Sequence, residues 1–249
     1  MPAADKGKFP TTHWTLIARI KSPDAAVAEK ALEELCTDYH FPLYCYLRRR
    51  GCAHHDAQDV LHDFLMLIFR RRSFERLEEQ KGRLRGWLST ALGRHFAEWR
   101  QSEARREQTA AADDAGFDRG LDFGAIENRY QRERFREDDT PDRIFEREWA
   151  VELLRHVIDS LGARYAERGR GAVFAALRPV LEGGGHLREG QSQALAGPLG
   201  LSEEALRQAL ARLLREFREE LHTEVRLTVE HAEEVPEELA HLMGLFRRT

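Results

Sequence analysis

The chain has 249 residues, a formal net charge of -4, 33% charged and 42% hydrophobic residues, a balance that excludes wholesale disorder and suits roughly two domains. Its 31 Leu and 30 Ala far outnumber 9 Val and 6 Ile, which excludes a sheet protein because branched side chains favour strands. No apolar run reaches the ~20 residues of a membrane span, and three clustered cysteines, Cys36, Cys45 and Cys52, make no disulfide framework. An all-α protein of the cytoplasm, with no membrane partner, is expected.

Residues 1–24 contain Pro and Gly, then Trp14, Leu16, Ile17 and Ile20, spaced for a short docking helix. From 25 to 50, Ala28, Ala31, Leu32, Leu35, Leu43, Tyr46 and Leu47 recur at helical spacing. Pro42 is expected to kink or break that run, and Gly51 to end it. The spacing predicts a helix over 56–70 with Val60, Leu61, Phe64, Leu65 and Ile68 on one face. It predicts another over 85–105 with Trp87, Leu88, Ala91, Leu92, Phe96 and Trp99. Residues 25–106 thus form a first domain.

Periodicity is lost over 107–145, where Asp113, Asp114, Gly116, Gly120, Gly124, Asp138, Asp139 and Pro141 mark a polar linker. A second domain, 146–222, opens with Trp149, Leu153, Leu154, Val157, Ile158 and Leu161 at helical intervals, and Gly183 to Gly185 breaks it. Near its end Ala194 to Ala196 read as a short helix, Pro198 and Gly200 as a turn, Ser202 as an N-cap, and Glu203 and Glu204 as an acidic first turn. Leu206, Ala209, Leu210, Leu213, Leu214, Phe217 and Leu221 follow as an apolar stripe. The positions of Ala196, Gly200 and Leu206 match a helix-turn-helix, as they also match an ordinary helical hairpin.

In the extension, 223–249, Val225, Leu227 and Val229 fit either a strand or a continued helix. After Pro236, Leu239, Leu242, Met243 and Phe246 form the apolar face of a short helix. A helix so short needs a surface to pack on, here the helix-turn-helix or the first domain.

The net charge hides a local asymmetry. Residues 40–110 hold 14 Lys/Arg against 9 Asp/Glu, whereas 111–148 hold 7 against 12. Only the first block reads as a phosphate-binding surface. Cys45, Cys52, His54, His55, Asp59 and His62 match no closed zinc spacing, and no glycine-rich phosphate loop, nucleophile elbow or paired-carboxylate site stands out. Neither a metal, a cofactor nor an enzymatic activity is expected.

The stretch from His55 to Leu65, then Lys81 to Leu88 and the basic tract from Arg94 to Arg106, resembles the second domain of extracytoplasmic-function sigma factors of bacterial RNA polymerase. Ala194 to Arg215 resembles their fourth domain, and order and separation match over roughly 25–222. The resemblance implies two helical domains, binding to the β′ and β subunits of core RNA polymerase, recognition of the minus-ten and minus-35 promoter elements, and no covalent chemistry. It implies that Asp59, His62 and Asp63, one helix face, grip a basic coiled coil of β′, with Phe64 or its neighbours packing beside them. Lys81, Arg83, Arg85, Trp87, Arg94, His95, Trp99 and Arg100 would engage minus-ten DNA, since melting needs cations for phosphates and flat rings for unstacked bases. Ser202, Arg207, Gln208, Arg212 and Arg215 would face the minus-35 element. The acidic linker would thread the polymerase channel, and an anti-sigma factor or other regulator is a further partner. Glu203 and Glu204 sit where a recognition helix would approach phosphate, so affinity for isolated DNA is expected to be poor. The alternative function is a sigma-like interaction or regulatory adaptor without promoter recognition.

Overall fold

The computed structural model describes residues 16, 19–71, 84–106, 122–133, 135–229 and 231–246. Every regular element among them is helical, and none of these helices is long and apolar enough to cross a membrane. They form two compact units, one holding the chain up to Ala150 and again from Ala240, the other Val151–Leu239.

The first unit begins with α1 (Ala25–Arg49), N-capped by Asp24, whose carboxylate accepts from the Ala26 N–H at 2.9 Å. Pro42 lies inside α1 without breaking it. Phe41, Leu43, Tyr44, Cys45 and Leu47 around it are at most 1% exposed, so packing on several sides offsets the lost backbone hydrogen bond. Gly51, at φ 83°, turns the chain into α2 (His54–Arg71), and both helices pack against α3 (Leu84–Arg106). Gly93 permits that approach, because a Cβ there would lie 2.7 Å from the Tyr46 hydroxyl.

The chain then continues with α4 (Phe123–Arg132) and α5 (Pro141–Glu167). Here the structure differs from a spacer over 107–145. Its described part belongs to the first unit, whose limit falls at Ala150 within α5. Arg49 donates to the backbone carbonyls of Asp139 (2.9 Å), Arg136 (2.7 Å) and Glu137. Arg48 pairs with Glu127 at 2.8 Å, and the Arg129 guanidinium lies over the Phe41 ring, 3.5 Å from its centroid. Part of the basic block is thereby neutralised by the acidic block that follows it. Asp139 is buried and meets Arg143 at 3.3 Å, so it does not line a channel; Asp138 is exposed and paired with Arg136 at 3.0 Å. Asp113 and Asp114 lie outside the described residues.

In the second unit the rest of α5 packs with α6 (Gly171–Glu182), α7 (Gln191–Ala196), a 3-10 turn (Gly197–Leu199) and α8 (Glu203–Arg226). Val157, Leu161, Phe174, Leu177, Leu206, Leu210 and Leu213 form its core. The turn is built as its residues dictate. Gly200 adopts φ 65°, and the Ser202 hydroxyl accepts from the Ala205 N–H at 3.1 Å. α8 runs through Val225, which is fully buried, so the strand alternative fails there.

The last helix, α9 (Val235–Phe246), turns Val235, Leu242 and Leu245 inward. Met243 is 59% and Phe246 45% exposed, contrary to the apolar face read from the sequence. The buried side follows 235, 238, 242 and 245, a helical stripe that carries Glu238 with it. The later half of α9 joins the first unit, where His241 Nε2 meets the Glu146 carboxylate at 3.0 Å.

Candidate nucleic-acid interface and acidic face

On α2, Asp59 and Asp63 are exposed and His62 is half-buried. Asp59 pairs with His55 one turn earlier at 3.2 Å, an exposed contact of little energetic weight. Phe64 does not belong to this exposed face. It is 2% exposed and packs on the His95 ring, with centroids 5.8 Å apart, because it falls on the buried stripe with Val60, Leu61 and Ile68. No partner can reach it in the folded unit.

Arg85 is likewise withdrawn from the surface expected to meet DNA. It is 1% exposed, its guanidinium lies 4.8 Å from the Trp149 ring centroid, and its Nε is 3.7 Å from Glu146. A flat cation stacked on an aromatic face tolerates burial, so the cost of burying arginine does not keep this one at the surface. Lys81 and Arg83 lie outside the described residues.

On the rest of α3, Trp99 and Arg100 gather at Phe96, whereas Trp87 lies about three turns earlier and Arg94 falls on another side of the helix, with exposed Glu98 one turn after it. Arg94 and Arg100 are exposed, while Trp87 and Trp99 are half-buried. Trp99 lies parallel to Phe96 (interplanar angle 16°, centroids 6.2 Å), and Arg100 reaches over Phe96 at 5.9 Å. Residues that the sequence did not single out for this face complete it. Arg50, Cys52 and Asp56, from the α1–α2 turn and the start of α2, line an open pocket with Phe96, Trp99 and Arg100. Burial, reinforced by the charges of Asp56 and Asp59 and opposed by Arg48 and Arg100, pushes the Cys52 thiol up to about 11. It is therefore neutral at physiological pH and no nucleophile. Among the described residues no three His, Cys, Asp or Glu side chains gather where they could hold a metal ion.

Burial lowers the pKa of His95, outweighing the charges of Asp63 and Glu98, which act the other way. The fold thus favours the neutral imidazole over the charged one. The ring's contribution to stability is whole above the ordinary histidine value of about 6.5 and declines as pH falls from there toward the lower folded value. Urea unfolding at about pH 7.5 and about pH 5.5 is expected to show a smaller pH difference for His95→Gln than for the parent chain.

In the helix-turn-helix segment, Arg212 and Arg215 are exposed. Arg207 is engaged by Glu203 at 2.9 Å and Glu204 at 3.7 Å, and Gln208 donates to Glu204 at 3.2 Å. Ser202 is occupied as the N-cap. The acidic first turn thus holds two of the five residues proposed for DNA and leaves two arginines open to solvent.

A second cluster was invisible in the sequence. The Tyr44 hydroxyl bonds Glu127 and His54 Nδ1 (2.7 Å), while Arg48 and Gln131 (2.6 Å) also donate to Glu127. Burial alone would raise the Glu127 pKa, but the hydrogen bonds from Tyr44, Gln131 and Arg48 and the Arg48 charge hold it below its ordinary value. This cluster fastens α4 to α1. Comparison with known protein families, characterised proteins and solved structures finds no match for the chain.

Proposed function

We propose that this chain is a sigma factor of the extracytoplasmic-function type, which binds core RNA polymerase and directs it to promoters. The observation that carries the reading is one small bundle with two faces of opposite charge. α2 exposes Asp59 and Asp63, and the C-terminal half of α3 exposes Arg100 at the Phe96–Trp99 pair, with exposed Arg50 lining the same opening. The acidic face suits a basic element of the polymerase β′ subunit. The cationic and aromatic face suits an unpaired strand, whose phosphates need cations and whose bases need flat rings. The turn at Gly200 and Ser202 leads into a helix whose Arg212 and Arg215 suit duplex DNA at the minus-35 element. In this role the protein supplies binding energy and no covalent chemistry. Run-off transcription with core polymerase, the protein and genomic promoter fragments tests the reading: specific transcripts support it, and core binding without initiation favours the adaptor.

The adaptor reading has one observation of its own, the grip of Glu203 and Glu204 on Arg207 and Gln208. Neutralising both, as Glu203→Gln with Glu204→Gln, is expected to tighten duplex DNA binding roughly three- to tenfold at low salt and much less at high salt. The loss of favourable dipole interactions costs α8 about 0.3–1 kcal/mol per residue. Titration of fluorescent duplex at two salt concentrations reads the affinity and its salt dependence, and thermal melting reads the stability. Unchanged affinity at both salt concentrations would leave α8 without a DNA role.

A further inference from the structure

Where the α1–α2 turn meets the C-terminal half of α3, the first unit leaves an open pocket of about 330 Å³. Phe96 and Trp99 supply a pair of parallel rings, Phe96 buried and Trp99 half-exposed. Arg50 and Arg100 border it, both exposed. Each guanidinium lies near an aromatic ring, Tyr46 at 5.2 Å and Phe96 at 5.9 Å, and neither makes an ion pair with another described residue. Asp56 contributes the one carboxylate among the lining residues. Gly51 turns the chain here through its positive φ and adds no side chain to the opening.

Each component selects a chemistry. An aromatic face takes a flat ring, since base stacking on aromatic side chains tolerates any base. Two guanidiniums near one opening take an anion with several oxygens, such as a phosphate. A carboxylate only accepts hydrogen bonds, so it selects the edge of a base that donates. Guanine alone presents two adjacent N–H donors on one edge, matching the two carboxylate oxygens. Adenine sets an acceptor nitrogen beside its amino group, which a carboxylate repels. The volume lies at the low end of small-ligand sites, roughly 300–1,000 Å³, and admits one nucleotide unit.

We propose that this pocket binds a single guanine nucleotide unit, from free nucleotide or an unpaired strand, with its base on Trp99, its phosphate between Arg50 and Arg100, and its Watson–Crick edge on Asp56. The inference stands on these residues and needs no polymerase. Failure of transcription therefore leaves it intact, and failure of nucleotide binding leaves the transcription reading intact.

The test is calorimetric titration of the full chain with GMP, with AMP, and with short thymidine oligonucleotides carrying or lacking one central guanine. GMP is expected to bind about tenfold or more tighter than AMP, and the guanine-bearing strand tighter than plain thymidine by a similar factor. Arg50→Gln with Arg100→Gln, and separately Trp99→Leu, are each expected to weaken both guanine ligands by roughly tenfold or more. Asp56→Asn is expected to bring the preference for GMP over AMP below about threefold. Thermal melting accompanies every variant, and the exposed arginines and Asp56 carry the test if Trp99→Leu unsettles the Phe96 stack. A guanine strand bound tenfold tighter than GMP identifies a strand as the source, and comparable affinities identify free nucleotide. No saturable binding of either up to about 1 mM, equal binding of GMP and AMP, or affinities indifferent to the Arg50 and Arg100 changes overturns the proposal.

Discussion

Arg85→Glu is expected to destabilise the first unit rather than to silence a DNA contact. The parent side chain is 1% exposed, stacked on Trp149 and close to Glu146. Replacing it with glutamate removes the stack and sets a second carboxylate beside Glu146. Breaking a buried charged arrangement from one side typically costs about 3–5 kcal/mol, which for a chain of this size lowers Tm by on the order of 10 °C. Arg100→Glu, an exposed position on the same helix, is expected to stay within about 0.5 kcal/mol of the parent. Thermal melts of the two variants side by side check the assignment. An Arg85→Glu protein that melts normally and loses only promoter opening would return Arg85 to the DNA surface.

Reversing Asp59 and Asp63 together to arginine is expected to remove core-polymerase binding while leaving the fold intact. Both carboxylates are exposed, and the His55–Asp59 contact is at the surface, so the change in stability should be within about 1 kcal/mol. Against a basic partner the reversal sets like charges face to face, which typically costs several kcal/mol, a loss in affinity of roughly a hundredfold or more. Helicity by circular dichroism and affinity by titration of labelled protein with core enzyme read the two quantities separately. Phe64→Ala makes the informative contrast. It opens a cavity in the core of the first unit and should cost about 3–5 kcal/mol of stability, reducing binding only through unfolding. Undiminished binding by the folded double reversal would detach the acidic face from the polymerase and weaken the proposed function at its first step.

The elements were legible where their causes are local. Repeating Leu and Ala, Gly51 and Gly200 at positive φ, and Ser202 as a cap lie within a few residues of the structure they dictate. Where competing local signals existed, packing settled them. Pro42 remained inside a helix because its neighbours are buried, and Val225 stayed helical because α8 continues through it. The α3 face was half legible, since helical spacing brings Trp99 and Arg100 near Phe96 but says nothing of Arg50 and Asp56 across the turn.

By itself, then, the sequence determined that the chain is helical, where α1, α2, α3 and the start of α8 lie, and which of their faces are apolar, since these follow from propensity, capping and a 3.6-residue period; it missed α4 and misread the buried side of α9. Only the tertiary structure decided which charges remain available. Arg48 meets Glu127 79 residues away, Arg49 meets the Asp139 carbonyl 90 residues away, and Arg85 meets Trp149 and Glu146. A charge count treats each arginine as a free cation, but pairing in space is set by which helices pack together, and no short window of sequence contains both partners.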